Sequence, residues 1–258
     1  SVVKGDVRLM HQAPENNGAL FQVASQFNLL EMVSPDITPE HGVTRYQSDP
    51  TQGPACAIAA GAATIYRNYF VQIDGDEGQT EERQLNGLAD IGIDLSRSTG
   101  LPVGDLWEMR NGYALAKQTG LETINTHLKS TSKEDIDRLR EKLKVGLHSD
   151  VEVTEATGPN IPLVSQAFCS ALPVAYSSIP KTHWEPLSVL VLEAAYEATM
   201  WAAVLNAQRG ASNVVLLTLL GGGAFGNRTT WIYAAIRRAL KLVSHFNIEV
   251  KLVSFNVP

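Results

Sequence analysis

The stretch Val214-Val215-Leu216-Leu217-Thr218-Leu219-Leu220 is apolar on both of its faces, and a glycine-rich segment follows at once. A strand with one wet face alternates apolar and polar residues, whereas a strand covered on both faces reads as a continuous apolar run. Comparable runs bounded by turn residues recur at 7–10, 20–25, 69–73, 145–154, 163–176 and 248–255 and are read as strands. Helical patterns lie between them, clearest at 54–68, 185–209 and 228–246, with a charged amphipathic one at 132–144 that opens on Ser132. The pattern through Glu193 and Trp201 is most simply a helix packed on the sheet. Doubly covered strands alternating with helices give an α/β fold, three layers in α/β/α order around a mostly parallel, mixed sheet.

A chain of 258 residues fits one large domain carrying an insertion. The insertion is placed at about 85–144, where Asn111-Gly112 between two apolar segments signals a hairpin and two helical patterns follow. Segment 33–53 is charged and rich in proline without an evident element, and loops of that length in compact domains are usually functional or disordered. Segment 74–83 reads as a solvated turn.

Charge excludes some functions. Against 27 acidic residues stand 21 basic ones with no Lys/Arg-rich run, so the footprint of a nucleic-acid binder is missing. Cys56 and Cys169 sit among small or apolar residues without a CxxC spacing, and the histidines are scattered, so neither a metal site nor a disulfide framework is expected. Two buried free thiols in a reducing compartment are expected instead, Cys169 being a nucleophile only if a base supports it. The long uncharged stretch 161–180 carries prolines, serines and a glutamine, unlike a membrane helix. The sequence opens without a basic and apolar leader, so a cytoplasmic protein with no membrane partner is the expectation.

The sharpest local signal is Gly221-Gly222-Gly223-Ala224-Phe225-Gly226-Asn227 between an apolar strand and an amphipathic helix. Glycines there let a backbone approach a ligand closely, and unbonded N–H groups suit a phosphate. Gly221, Gly223 and Gly226 satisfy GxGxxG, but a dinucleotide-binding fold needs an acidic residue closing the next strand, and Glu249 opens it instead. A hydride-transfer enzyme is thereby demoted, and a tight strand-to-helix turn is the plain alternative.

Gly5-Asp6-Val7 near the start, the strand running through Phe21-Gln22-Val23-Ala24-Ser25-Gln26-Phe27-Asn28, the small-residue helix beginning Thr51-Gln52-Gly53-Pro54-Ala55-Cys56, and the late glycine loop together resemble the macrodomain family of ADP-ribose-binding proteins and hydrolases. The segments 21–31 and 51–61 are similar to its arginine-specific branch. The resemblance spans most of the chain except the insertion. It departs where Ser25 replaces the first Asn of the family's Asn-Ala-Ala-Asn loop and Leu29-Leu30-Glu31-Met32 replaces the glycines that follow.

The resemblance implies Asp6 on the adenine amine, Asn28 near the distal ribose, Gly221, Gly222, Gly223, Ala224, Phe225, Gly226 and Asn227 around the diphosphate, and Gln52 among the ADP-ribose contacts. It implies no cofactor and no metal, with ADP-ribose and an ADP-ribosylated protein such as modified ubiquitin as partners. Each residue also has a plainer reading: Asp6 as a turn residue, Asn28 as a cap, Phe225 as a core aromatic rather than a ribose lid. Phe255 and Asn256 either border the adenine or simply end a strand. Cleaving a C–N glycosidic bond passes through an oxocarbenium-like state and calls for a carboxylate that activates water. Asp49, ahead of the small-residue helix, is the first candidate, followed by Glu31, Glu40 and Asp36, and such groups also suit a guanidinium. An ADP-ribosyl-arginine hydrolase is therefore the expected function, and a non-catalytic ADP-ribose reader the alternative.

Overall fold

A computed structural model of the chain describes residues 1–254. Its central sheet has the spatial order β1 (Val2–Lys4), β10 (Glu249–Ser254), β9 (Val214–Leu217), β2 (Leu20–Ala24), β8 (Leu163–Cys169) and β7 (Gly146–Glu152). Every adjacent pair is parallel except β7 with β8. The doubly apolar strands are covered as their sequences demand. Val214 and Leu216, with Phe21, Val23, Val164 and Phe168, pack under α1 (Val7–Gln12) and α2 (Gln52–Ala59). Val215 and Leu217, with Leu20, Ala167 and Cys169, face α8 (Lys181–Gln208) and α9 (Thr229–Leu242). The protein is thus α/β, a mostly parallel mixed sheet flanked by helices.

Several elements differ from the sequence reading. Residues 7–10 are helical: Asp6 caps the helix by accepting from the Arg8 N–H at 2.8 Å, and the buried residues are Val7 and His11, a helical spacing that leaves Leu9 exposed. The stretch 54–68 is two helices, α2 and α3 (Gly61–Tyr69), broken at Ala60. Tyr69 ends α3, so only Gln72–Ile73 of segment 69–73 is a strand, β3; it pairs with β4 (Asp76–Glu77) across Asp74-Gly75, both left-handed as a two-residue hairpin turn requires. Strand β8 stops at Cys169, and Tyr176 belongs to a short 3-10 turn, Val174–Tyr176, entered through Pro173. Loop 33–53 holds two such turns, Pro39–His41 and Val43–Ser48. Phe255 and Asn256 lie outside the described residues.

Segment 85–144 forms α4 (Ala89–Thr99), α5 (Val103–Leu106), the hairpin β5 (Trp107–Arg110) and β6 (Tyr113–Ala116), α6 (Gln118–Ser130) and α7 (Lys133–Arg140). Ser132 caps α7 by accepting from the Asp135 N–H. Ile91, Leu95, Leu106, Leu121, Ile124 and Leu139 share one core with Leu187, Val191 and Ala195 of α8, so that helix is covered on the side turned away from the sheet as well. This explains why α8, among the described residues, is the helix long and apolar enough by composition to cross a membrane: 72% of its apolar window is buried inside the protein.

The hairpin turn is built from Asn111 and Gly112, both left-handed, as the sequence signal requires. It is pressed against the turn that follows β2: the Phe27 N–H donates to the Gly112 carbonyl at 2.9 Å, and a Cβ on Gly112 would stand 2.5 Å from Asn28 Oδ1. Gly100, at the end of α4, has a similar φ but open space around it. Gly112→Ala should therefore cost about 1–3 kcal/mol more than Gly100→Ala, the excess being overpacking rather than φ strain. Equal denaturant midpoints for the two variants would contradict that contact.

Candidate functional site

Strands β2 and β9 pair only at Leu20 with Val215 and Phe21 with Leu216, and then separate. The chain leaving β2 goes to α2 on one face of the sheet, whereas the chain leaving β9 goes to α9 on the other. Such a switch point at the carboxyl ends of parallel strands opens a crevice. Three side chains satisfy the backbone groups that the separation strands. Gln22 Oε1 accepts from the Thr218 N–H, while Gln52 accepts from the Ala24 N–H at 2.8 Å and donates to the Gln22 carbonyl at 2.8 Å. The buried Tyr196 hydroxyl donates to the Thr218 carbonyl and accepts from the Leu220 N–H.

A cavity of about 710 Å³ occupies the crevice, within the range of small-molecule sites. One wall is the glycine loop: Gly221, Gly223, Ala224 and Phe225 border the cavity, and their N–H groups make no hydrogen bond to another described residue. Gly221 is left-handed, and a Cβ there would meet Ala171 Cβ at 2.5 Å. Lys181 fastens the loop from behind by donating to the Gly226 carbonyl at 2.7 Å. The facing wall is the start of α2, where Thr51, Gln52, Gly53 and Pro54 line the cavity and the Gln52 and Gly53 N–H groups are also unbonded among the described residues. Unbonded donors on two walls thus border one cavity, an arrangement that suits an anion. Arg45, the one Arg or Lys among the lining residues, has no acidic partner among the described residues.

Of the four candidate carboxylates, the fold brings Asp49 and Glu31 to the cavity. Asp49 Oδ1 accepts from the Thr51 N–H at 2.9 Å and the Thr51 hydroxyl at 2.6 Å, which leaves Oδ2 without a partner among the described residues. Glu31 is sealed at the cavity floor, its side chain 0% exposed, against Arg67 at 3.0 Å. Arg67 also donates to the Leu29 carbonyl and lies 3.7 Å over the Phe168 ring. The Glu31 N–H donates to the Tyr46 hydroxyl. Asp36 and Glu40 point elsewhere. Asp36 pairs with Arg110 at the surface, and Glu40 accepts from the Glu81 N–H.

Other sequence candidates fall outside the lining. Asp6 is exposed and occupied as the cap of α1. Asn28 is fully buried, donating to Gln84 and accepting from the Leu30 N–H, so it holds the turn after β2 rather than facing the cavity. Gln52 does line the cavity, although its amide is spent on β2. Gly222 faces solvent, Gly226 turns the loop, and Asn227 ties the loop to the Leu172 carbonyl at 2.9 Å. Cys169 is buried, and burial holds its thiol up at about 11, far from thiolate chemistry.

Sequence reasoning overlooked Tyr113, Arg45 and Ser48, which also line the cavity, and set Tyr176 on a strand. Tyr113 directly follows the Asn111-Gly112 turn, so the hairpin signal located it without revealing what the hairpin touches. Comparison with protein-family models and with characterised proteins finds no match to this sequence.

Burial pushes the Glu31 carboxyl up to about 7, with Arg67 and then Tyr46 pulling the other way. A carboxyl whose folded value is raised contributes stability that is full below its ordinary value near 4.5 and is lost as pH rises through about 7. The parent should therefore lose stability relative to Glu31→Gln across that window in thermal unfolding at successive pH values. A difference moving in the parent's favour with rising pH would mean that the ion pair outweighs desolvation.

Proposed function

We propose that this chain is a macrodomain-like ADP-ribosylhydrolase that removes ADP-ribose from modified arginine side chains of proteins, with ADP-ribosylated ubiquitin as one substrate of that class. The observation that carries the reading is the pairing, across one cavity, of unbonded amides on two walls with a carboxylate, Asp49, that keeps one oxygen unengaged. The glycine loop and Gln52, which the sequence resemblance puts on the ligand, line this cavity, which adds support, whereas Asp6 and Asn28 stand outside the lining.

In this reading the diphosphate lies between the glycine loop and the start of α2, with Arg45 as counter-charge. The distal ribose then reaches the loop wall where Asp49 stands. As the C–N bond breaks, the electron pair leaves with the guanidine and the ribose carbon gains oxocarbenium character. Asp49 Oδ2 takes a proton from the attacking water, and that proton ends on the departing guanidine, which leaves as guanidinium. Glu31 keeps the floor in place through Arg67 and takes no part in proton transfer.

The ADP-ribose reader remains a second reading because of one observation: Glu31 is tied to Arg67, so among the described residues a single free carboxylate borders the cavity, where glycoside hydrolysis commonly employs two. Asp49→Asn separates the readings. It should bind ADP-ribose within a few-fold of the parent while release of ADP-ribose from an arginine adduct falls by about 10²–10⁴, with a melting curve to verify folding. A parent that binds ADP-ribose but releases none from any linkage is a reader.

The cradle has its own test. A side chain at Gly223 meets open space, and its φ is not left-handed, so Gly223→Glu should fold normally. Its carboxylate would stand beside the phosphates, and calorimetric binding of ADP-ribose should disappear. Unchanged affinity would remove the diphosphate from this loop.

A further inference from the structure

Three aromatic side chains from distant parts of the sequence meet at the cavity. Tyr113 comes from the hairpin, Tyr176 from the turn after β8, and Phe225 from the glycine loop. Their ring centroids are 5.3 Å apart for Tyr113 with Tyr176, 5.3 Å for Tyr113 with Phe225, and 5.7 Å for Tyr176 with Phe225. The last pair meets at 81°, so Tyr176 and Phe225 form the two sides of a corner that Tyr113 backs. Tyr113 is 2% exposed and fixed by its hydroxyl, which donates to the Met32 carbonyl at 2.7 Å, whereas Tyr176 is 38% exposed and offers its ring.

A ring face carries negative potential and attracts a cation placed over it. Asp49 supplies a full negative charge in the same cavity: it lines that cavity together with all three rings, and its Oδ2 has no partner among the described residues. Burying three rings would need no carboxylate, and binding a phosphate would be opposed by one. Flat faces that share a cavity with a bare carboxylate oxygen suit a planar cation better than a compact ammonium, because a guanidinium can lie on a ring and still present N–H donors in its plane.

We infer that the corner of Tyr176 and Phe225, backed by Tyr113 and charged by Asp49, is a subsite for an alkylguanidinium, with Tyr176 a specificity-determining residue. The inference rests on the reading of the cavity as an ADP-ribosyl site and gives the physical basis of its linkage preference: the amides hold the anionic end of the adduct, and the corner holds the cationic end. The insertion thereby acquires a role at the site, since its hairpin supplies the ring on which the corner is built.

The test titrates the whole chain with N-methylguanidinium, methylammonium and the neutral isostere N-methylurea, following the ring protons of the aromatic residues by NMR, with ADP-ribose titrated in parallel. N-methylguanidinium should bind about tenfold more tightly than either comparison compound and shift the Tyr176 and Phe225 resonances. Tyr176→Leu should weaken it several-fold, Tyr176→Phe should restore it to within twofold, and Asp49→Asn should weaken it while leaving ADP-ribose affinity within a few-fold. If N-methylguanidinium binds no better than N-methylurea while ADP-ribose binds, the subsite is overturned and the ADP-ribosyl site stands. If methylammonium matches it, guanidinium selectivity is overturned. If N-methylguanidinium binds and ADP-ribose does not, the ADP-ribosyl site fails and the linkage assignment fails with it.

Discussion

The parting of β2 and β9 after two paired residues sets up everything else about the site. Parallel strands that separate leave backbone donors and acceptors stranded at the centre of the sheet, where water cannot serve them, and each buried orphan costs free energy. Gln22, Gln52 and Tyr196 answer that need with side chains from three different elements. Because these groups close the ladder from below, the backbone above it is free to splay, and the glycine loop and the start of α2 border the opening with amides that no described residue engages. These three polar side chains let the sheet open there without orphaning its backbone groups.

The long loop that carries Asp49 is positioned from outside the sheet. Its first part is held by the hairpin: Tyr113 donates to the Met32 carbonyl and Asn111 to the Pro35 carbonyl at 2.7 Å. The surface pairs of Asp36 with Arg110 and of Glu40 with the Glu81 amide add little individually, as exposed ionic contacts generally do. Farther along, the buried Tyr46 hydroxyl accepts from the Glu31 N–H, and the Tyr69 hydroxyl accepts from the Val43 N–H. A segment with little regular structure therefore has fixed anchors on both sides of its charged tip. The Glu31–Arg67 pair beneath it is enclosed so completely that replacing one partner would leave the other as an uncompensated charge.

What could be read in the sequence follows from how local the determining physics is. Strand β9 announced itself because coverage on both faces leaves a continuous apolar run, and β2, β8 and β10 through shorter apolar stretches bounded by turn residues. The Asn111-Gly112 hairpin was equally plain, since its turn type admits few residues. Helix α1 was not, because Val7 and Leu9 imitate strand alternation in a segment too short to display helical period. The break at Ala60 was hidden by alanines and glycine that fit either side of it. At the site, the glycine loop and Asp49 were legible as local motifs, whereas nothing local in the sequence marks Arg67. Tyr113 and Tyr176 belong to the cavity only through contacts that cross most of the chain. Asn28 shows the converse: a polar residue in a suggestive motif, used entirely to hold its own turn.

Helix α8 has consequences for the life of the chain in a cell. Its apolar residues encircle it because the sheet covers one side and the segment 85–144 covers the other, so its solubility is borrowed from both. Residues 85–144 leave the ribosome before α8 does, and the cover is therefore already synthesised when the helix appears. A chain in which that cover failed to form would bare one side of a helix that contains an 18-residue window with the hydropathy of a membrane span, a feature that chaperones and lipid bilayers alike would bind. Defects in the insertion would for this reason be felt first as lost protein, through retention or degradation, and only afterwards as altered chemistry in the cavity.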